Sequence, residues 1–121
     1  MRGISFKLLF LGFLFFLVVP SLTFSEEPRY RTFSEEEVKK MSEKMAVIHT
    51  KVGDITLKFF PEIAPNHVDS FIELSKSGVY DGTIFHRVIP GFVIQGGDPF
   101  SKGPDRSQYG RGGPGYQLKA E

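Results

Sequence analysis

Two short stretches of alternating apolar residues, joined by a glycine turn, limit the fold to one that begins with a β-hairpin. Residues 46–51 and residues 55–60 both show the period of two that a half-buried strand produces. Val52-Gly53-Asp54 between them is typical of a tight turn. The sequence therefore predicts two antiparallel strands at the start of the folded region.

One amphipathic helix is predicted after this hairpin. Pro65 suits the first turn of a helix, where its missing N–H costs nothing, and Gly78 suits the position just after the last turn. Between them runs an apolar stripe at helical spacing, formed by Val68, Phe71, Ile72, Leu74 and Ser75. The pattern predicts a helix that lies across the strands.

Further short strands and a long glycine-rich loop follow the helix. Alternation predicts a third strand over residues 83–89 and a fourth over residues 92–95, and residues 116–120 favour a fifth. Residues 101–115 are mostly glycine, proline, serine and charged residues, which is typical of a surface loop. Antiparallel strands with a helix across them predict a mainly β domain, either a barrel or a sheet capped by helices.

The first 25 residues differ in composition from the rest and have the layout of a secretory signal peptide. Arg2 and Lys7 give a basic start, residues 8–19 form an apolar run, and small residues precede Glu26. The run is shorter than the roughly 20 residues that span a membrane. We therefore expect an exported protein, periplasmic or otherwise extracytoplasmic, with cleavage near Ser25; an uncleaved N-terminal anchor is the alternative.

Residues 26–45 separate this leader from the predicted domain, which covers residues 46–121. The segment is polar and rich in glutamate and lysine. Ser34 followed by Glu37 has the pattern of a helix capping box. We expect a polar linker or a short helix here and assign it no functional role.

Composition excludes several kinds of site. The chain has no cysteine, which removes disulfides, thiolate nucleophiles and cysteine-rich zinc sites. Its three histidines are scattered without the spacing of metal ligands, so no metal site is predicted. The formal net charge of +1 provides no basic field for nucleic acid.

The segment from Phe85 to Asp98 carries the densest group of chemically useful side chains. Arg87 and Gln95 are an even number of residues apart, so strand alternation places them on the same side. Phe92 has the opposite parity, which one extra residue at the Pro90-Gly91 break corrects. A guanidinium, a carboxamide and an aromatic ring that converge there suit the binding of a neutral peptide. They include no nucleophile beside a base and no paired carboxylates for hydrolysis.

This segment resembles the signature of the cyclophilin-type peptidyl-prolyl cis–trans isomerases. In that family a Phe-His-Arg strand leads through Pro-x-Phe to Gln-Gly-Gly-Asp, as in residues 85–98 here. The resemblance covers about residues 46–121 and includes Gly112-Gly113-Pro114-Gly115-Tyr116, which is similar to the bacterial branch. It implies an eight-stranded antiparallel β-barrel closed by two capping helices, with no cofactor.

The resemblance also implies roles for individual residues. Arg87 resembles the catalytic arginine, Phe92 the floor of the proline pocket, and Gln95 the residue that bonds the substrate backbone. His86 resembles a neighbour that supports the strand, and Asp98 is expected to be supporting as well. The implied partners are proline-containing segments of unfolded or exported polypeptides. Nucleic acid is excluded, and the membrane is reached only through the signal peptide or anchor.

Family members continue beyond the position equivalent to Glu121, so a cyclophilin-like domain that is incomplete at its C-terminus is expected. Residues 46–121 are about half of what a closed eight-stranded barrel with two helices requires. The expected function is acceleration of X–Pro isomerisation during the folding of exported proteins, weak or absent in the 121-residue chain. The alternative is a proline-peptide-binding or scaffold module with little catalysis.

Overall fold

The structure of the protein is a computed structural model that describes residues 28–121. Its elements, in chain order, are α1 (Glu35–Ser42), β1 (Met45–Thr50), β2 (Gly53–Lys58), α2 (Pro65–Lys76), β3 (Arg87–Ile89) and β4 (Val93–Gln95), followed by two short 3-10 turns, Pro99–Lys102 and Arg106–Gln108. Neither of these helices has the length and apolar character to cross a bilayer. The expected signal peptide, residues 1–25, lies outside the described residues.

The predicted β-hairpin is confirmed. β1 and β2 pair in antiparallel fashion, from Met45 opposite Lys58 to Thr50 opposite Gly53. Gly53 has φ 132°, a conformation that favours glycine, and it starts β2 directly after the turn. Both strands lie slightly earlier in the chain than the stretches whose alternation predicts them.

The predicted helix α2 is also confirmed. Pro65 occupies its first turn, and Gly78, just after its last turn, has φ 72°. Val68 and Ile72 on its inner face are buried, and they form one apolar cluster with Met41 of α1. The core of the described residues therefore lies between the two helices.

Helix α1 forms where the capping-box pattern indicates one. The Ser34 hydroxyl accepts a hydrogen bond from the Glu37 amide at 3.3 Å, and the Glu37 carboxylate accepts one from the Ser34 amide at 2.8 Å. Phe33 and Phe59 pack against the cluster that contains the buried Met41. The segment that precedes the predicted domain is therefore docked on α2 through apolar contacts.

The prediction of a third strand over residues 83–89 is wrong for its first half. Only the last three of these residues form β3, which pairs antiparallel with β4. The amide of Ile84 donates to the hydroxyl of Ser101 at 3.1 Å instead of to a neighbouring strand. The Ile84 amide is thus bonded to a side chain of the following loop, whereas alternation predicts a backbone hydrogen bond to a neighbouring strand.

The fifth predicted strand, residues 116–120, forms only an isolated bridge. Leu118 pairs in parallel with Arg29. The Arg29 amide donates to the Gln117 carbonyl at 2.8 Å, and the Lys119 amide donates to the Arg29 carbonyl at 3.3 Å. These residues therefore fasten the N-terminal segment to the C-terminal one and do not extend a sheet.

The expected barrel is not confirmed. The described residues form two separate two-stranded sheets, β1–β2 and β3–β4, and these do not close on each other. β3 and β4 have three residues each, shorter than a usual strand of about 5–6. What the described residues establish is two antiparallel hairpins and two helices.

Candidate functional site

Arg87 and Gln95 lie directly opposite each other on the β3–β4 hairpin. Their Cα atoms are paired in the antiparallel register, so both side chains leave the same face. Arg87 Nη1 lies 3.4 Å from Gln95 Oε1. This contact is longer than a strong hydrogen bond, so both groups keep donors and acceptors for a ligand.

The turn between the two strands brings Phe92 to the same face. Gly91 has φ 73°, and the Phe92 amide donates to the Ile89 carbonyl at 3.0 Å, which closes the reversal. The centroid of the Phe92 ring is 5.9 Å from Cζ of Arg87, within the range of cation–π attraction. The structure thus brings together the three groups that the sequence predicts to converge, because the Pro90-Gly91 break corrects the parity.

The cluster of Arg87, Phe92 and Gln95 (the Arg87 cluster) forms an open platform. Phe92 is 74% exposed, and the other two side chains are exposed as well. Among residues 28–121 no carboxylate forms an ion pair with Arg87, so its charge is available to a ligand. The described residues present the ring of Phe92 as a surface, and the enclosed pocket floor implied by the resemblance is not formed by them.

His86, the residue before Arg87, contacts the glycine-rich loop. Its ring lies edge-on to the ring of Tyr109, with 6.5 Å between the centroids. Both ring nitrogens are buried and have no hydrogen-bond partner among the described residues. The ring therefore packs as an apolar group would, and the supporting role expected of His86 stays a prediction.

Asp98 follows β4 and is buried, with 6% exposure. Its carboxylate accepts hydrogen bonds from the backbone amides of Phe100, at 2.8 Å, and Gly110. Burial by itself raises the pKa of the Asp98 carboxyl, but these amide hydrogen bonds outweigh it and hold the pKa below its ordinary value. Asp98 is therefore an ionised group that faces the loop.

Ser101 connects this loop to the segment that leads into β3, and no sequence pattern distinguishes it as a functional residue. It is 4% exposed, donates to the Asp98 carbonyl at 2.6 Å, and accepts from the Ile84 amide at 3.1 Å. The first of these bonds is local and follows from the Asp-Pro-Phe-Ser turn. The second joins residues 17 apart in the chain, and no local pattern announces it.

The Arg87 cluster offers hydrogen-bond donors and an aromatic surface, and it has no metal ligands. Within the described part of the chain, no group of three or more histidines, cysteines and carboxylates could hold a metal ion. Two surface cavities lie elsewhere, one between α1 and the Pro61–Pro65 turn and one beside Phe100. The chemistry open to the cluster is the binding and polarisation of an uncharged peptide.

Comparisons with known proteins found a matching family model and several relatives. Residues 45–121 match the family model described as cyclophilin type peptidyl-prolyl cis-trans isomerase/CLD. The chain is 49% identical over 76 residues to the peptidyl-prolyl cis-trans isomerase of Synechococcus elongatus. The matched residues cover 63% of this chain and 48% of that protein. The chain is also 53% identical over 60 residues to peptidyl-prolyl cis-trans isomerase 9 of Schizosaccharomyces pombe. This match covers 50% of this chain and 10% of that protein.

The overlap with these relatives is partial in both directions. The chain spans about half the length of the Synechococcus protein and a smaller share of the Schizosaccharomyces protein. The matched range contains the Arg87 cluster, His86 and Asp98, whereas α1 precedes it. No solved structure matches the chain.

Proposed function

We propose, since this chain belongs to the family of cyclophilin-type peptidyl-prolyl cis–trans isomerases, that its Arg87 cluster accelerates rotation about X–Pro peptide bonds. One observation carries the proposal, which is that three groups meet on one face of the β3–β4 hairpin. Cζ of the Arg87 guanidinium lies 5.9 Å from the centroid of the exposed Phe92 ring, and Arg87 Nη1 lies 3.4 Å from Gln95 Oε1. The three groups match the parts of an X–Pro unit, which are an apolar ring, a backbone amide and the bond that must turn.

The reaction asks for little covalent chemistry. The barrier to rotation is about 18–20 kcal/mol because resonance gives the C–N bond partial double-bond character. The two isomers of an X–Pro bond differ by only about 0.5–1 kcal/mol, yet they exchange over tens to hundreds of seconds. A catalyst therefore needs to weaken that resonance and hold the twisted geometry, without a nucleophile or a base.

Each member of the cluster supplies one part of that task. The ring of Phe92 packs against the proline ring, and the amide of Gln95 bonds the neighbouring backbone. Arg87 donates either to the proline nitrogen, which favours a single-bond-like nitrogen, or to the preceding carbonyl oxygen, which anchors one half while the other turns. Its guanidinium stays protonated throughout, so the reaction requires no proton transfer to or from this side chain.

Replacement of Arg87 tests the proposal. NMR exchange spectroscopy on a short peptide with one X–Pro bond measures the rate of isomerisation and the peptide affinity together. We expect Arg87→Ala to lower the catalysed rate by about 10²–10³-fold, the usual loss when one positioned donor is removed. Binding should change far less, because Phe92 and Gln95 remain.

Arg106→Ala is the matched control, since Arg106 is an exposed arginine that lies in the glycine-rich loop and outside the cluster. Arg106→Ala should leave the rate unchanged. A catalysed rate that survives Arg87→Ala intact would refute the role of the guanidinium.

A proline-peptide-binding or scaffold module is the second candidate, and the exposure of Phe92 favours it. A ring that is 74% exposed leaves a bound peptide open to water, which weakens the electrostatic effect of the guanidinium on the rotating bond. Peptide binding by the wild-type chain, with an isomerisation rate equal to that of the free peptide, would establish this candidate over catalysis.

We also propose that the chain is exported and acts on proline-containing polypeptides that fold outside the cytoplasm. The support is the layout of residues 1–25, with a basic start, an apolar run and small residues before Glu26. N-terminal sequencing of the protein from separated cell fractions tests this. An extracytoplasmic protein that starts near Glu26 is expected, and a cytoplasmic protein that retains Met1 would refute it.

A further inference from the structure

We propose that Asp98 is a positioning residue for the Arg87 cluster, which it holds in place through the loop of residues 98–112 (the glycine loop). The proposal rests on the function proposed above. In this role Asp98 fixes the position of two chain segments, the one that precedes β3 and the one that follows β4.

The Asp98 carboxylate gathers distant parts of the glycine loop around itself. One oxygen accepts from the Phe100 amide at 2.8 Å, and the other accepts from the Gly110 amide. A Cβ added to Gly112 would collide with Asp98 Oδ1. One ionised group thus ties the start of the loop to its end with charge-assisted hydrogen bonds.

The same turn is bonded to the segment that leads into β3. Ser101 donates to the Asp98 carbonyl at 2.6 Å and accepts from the Ile84 amide at 3.1 Å. Ile84 stands three residues before Arg87, and Asp98 stands three residues after Gln95. The Asp98–Ser101 turn therefore bridges the two chain segments at the open end of the hairpin that carries the Arg87 cluster.

The far end of the glycine loop lies against His86, the neighbour of Arg87. The Cβ position of Gly110 is 3.5 Å from His86 Nε2, and the Tyr109 ring packs edge-on to the imidazole. The amide of Gly110 bonds Asp98, so the carboxylate and the imidazole contact the same residue. Loss of that bond frees the part of the loop that covers His86.

A small displacement of the hairpin is enough to matter for catalysis. β3 and β4 hold each other through only three residue pairs, so their relative position depends on what fixes their ends. Reacting groups misplaced by about 1 Å can lose about 10²-fold in rate. The glycine loop therefore affects the rate through the position of the β3–β4 hairpin.

Asp98→Asn in the full chain tests the proposal. The Asn side chain retains the shape of the carboxylate, but it has one acceptor oxygen and one NH₂ group, so either the Phe100 amide or the Gly110 amide loses its acceptor and faces a donor. We expect kcat for the proline peptide to fall about tenfold while KM stays within about threefold. The NMR signals of the Arg87 and Gln95 side chains should shift, and hydrogen exchange at the Gly110 amide should become faster.

Asp105→Asn is the matched control. Asp105 also accepts from an amide two residues ahead, that of Ser107 at 2.9 Å, and begins a 3-10 turn, but it is exposed. Asp105→Asn should leave kcat, KM, the Arg87 and Gln95 signals and the exchange rate of the Gly110 amide unchanged. Unchanged kcat and unchanged Arg87 and Gln95 signals in Asp98→Asn would overturn the proposal, whatever happens to Gly110.

Two further outcomes are also decisive. If the wild-type chain does not accelerate isomerisation, the proposed function fails, and the Arg87 and Gln95 signals in Asp98→Asn then decide on the positioning role alone. If Asp98→Asn does not fold, Ser101→Ala takes its place, because it removes the acceptor of the Ile84 amide. Ser101→Ala with wild-type signals and kcat would overturn the proposal.

Discussion

The carboxylate of Glu121 accepts hydrogen bonds from both the backbone amide of Asn66, at 3.0 Å, and its side-chain amide, at 2.6 Å. It also accepts from the backbone amide of His67 at 3.2 Å. These two backbone amides belong to the first turn of α2, whose N-cap residue, Ala64, has no side-chain acceptor. A residue distant in sequence therefore supplies the cap that the local sequence lacks.

Loss of this cap should destabilise the protein. Glu121→Gln removes the negative charge and places an NH₂ group against amide donors. We expect the free energy of unfolding to fall by about 1–2 kcal/mol, as for other helix caps. Urea unfolding at pH 7 measures it. Glu62→Gln, an exposed carboxylate just before α2, should change little, and equal losses in the two variants would contradict the cap.

The same cap should make stability depend on acid. Burial alone raises the pKa of Glu121, but hydrogen bonds from Asn66 and His67 outweigh it and lower the pKa from 4.5 to about 2. A lowered folded-state pKa means that the stabilisation is complete above 4.5 and is lost as the pH falls toward 2. The difference in unfolding free energy between wild type and Glu121→Gln should therefore shrink over that window. A constant difference would contradict it.

The docking of α1 can be tested with two methionines. Met41 is 5% exposed and packs with Val68 and Ile72, whereas Met45 is 69% exposed. Met41→Ala should lower the unfolding free energy by about 2–5 kcal/mol, because it removes buried surface and leaves a cavity. Met45→Ala should stay within about 0.5 kcal/mol. Thermal unfolding distinguishes the two, and similar values would mean that α1 is not docked in solution.

Gly96 should not tolerate a side chain. A Cβ there would lie 2.9 Å from the Phe85 ring and 3.3 Å from the Ile84 carbonyl oxygen. Gly96→Ala should destabilise by about 1–3 kcal/mol, the usual cost of overpacking. Gly113→Ala is the control, since its Cβ would meet nothing within 4 Å. Chemical denaturation of both variants checks this, and a neutral Gly96→Ala would show that Phe85 moves freely.

Phe92 should matter for binding and not for stability. Its ring is 74% exposed, so Phe92→Ala should change the unfolding free energy by no more than about 0.5 kcal/mol. The affinity for a proline peptide should fall about tenfold, because the ring is the apolar surface of the cluster. Calorimetry measures the affinity, with Phe100→Ala as the control at 52% exposure. Equal affinity in the two variants would remove Phe92 from the site.

Features with a local cause could be predicted from the sequence. The capping box of Ser34 and Glu37, the start of α2 at Pro65 and its end before Gly78 all depend on residues within one turn of the helix. The convergence of Phe92 with its neighbours could be predicted too, because one tight turn joins the two strands. The functional roles of the cluster stay predictions.

Features that join distant segments could not be predicted. Asn66 reads as an ordinary polar residue of a helix, yet it exchanges hydrogen bonds with Arg31 and meets Glu121, which is 55 residues away. Ile84 fits a strand by alternation, but Ser101 takes its amide. The burial of individual side chains could not be predicted either, because periodicity indicates which side of a strand or helix a residue faces but not what packs against that side.

The bridge between Arg29 and Leu118 has a consequence for the order of events during synthesis. Nearly all of the described residues lie between these two partners in the sequence. The contact therefore closes a long loop, which has a correspondingly large cost in chain entropy. A ribosome releases Arg29 well before Leu118, so Arg29 has no partner while the residues between the two emerge. The earliest described residues to be translated are thus among the last to find their place.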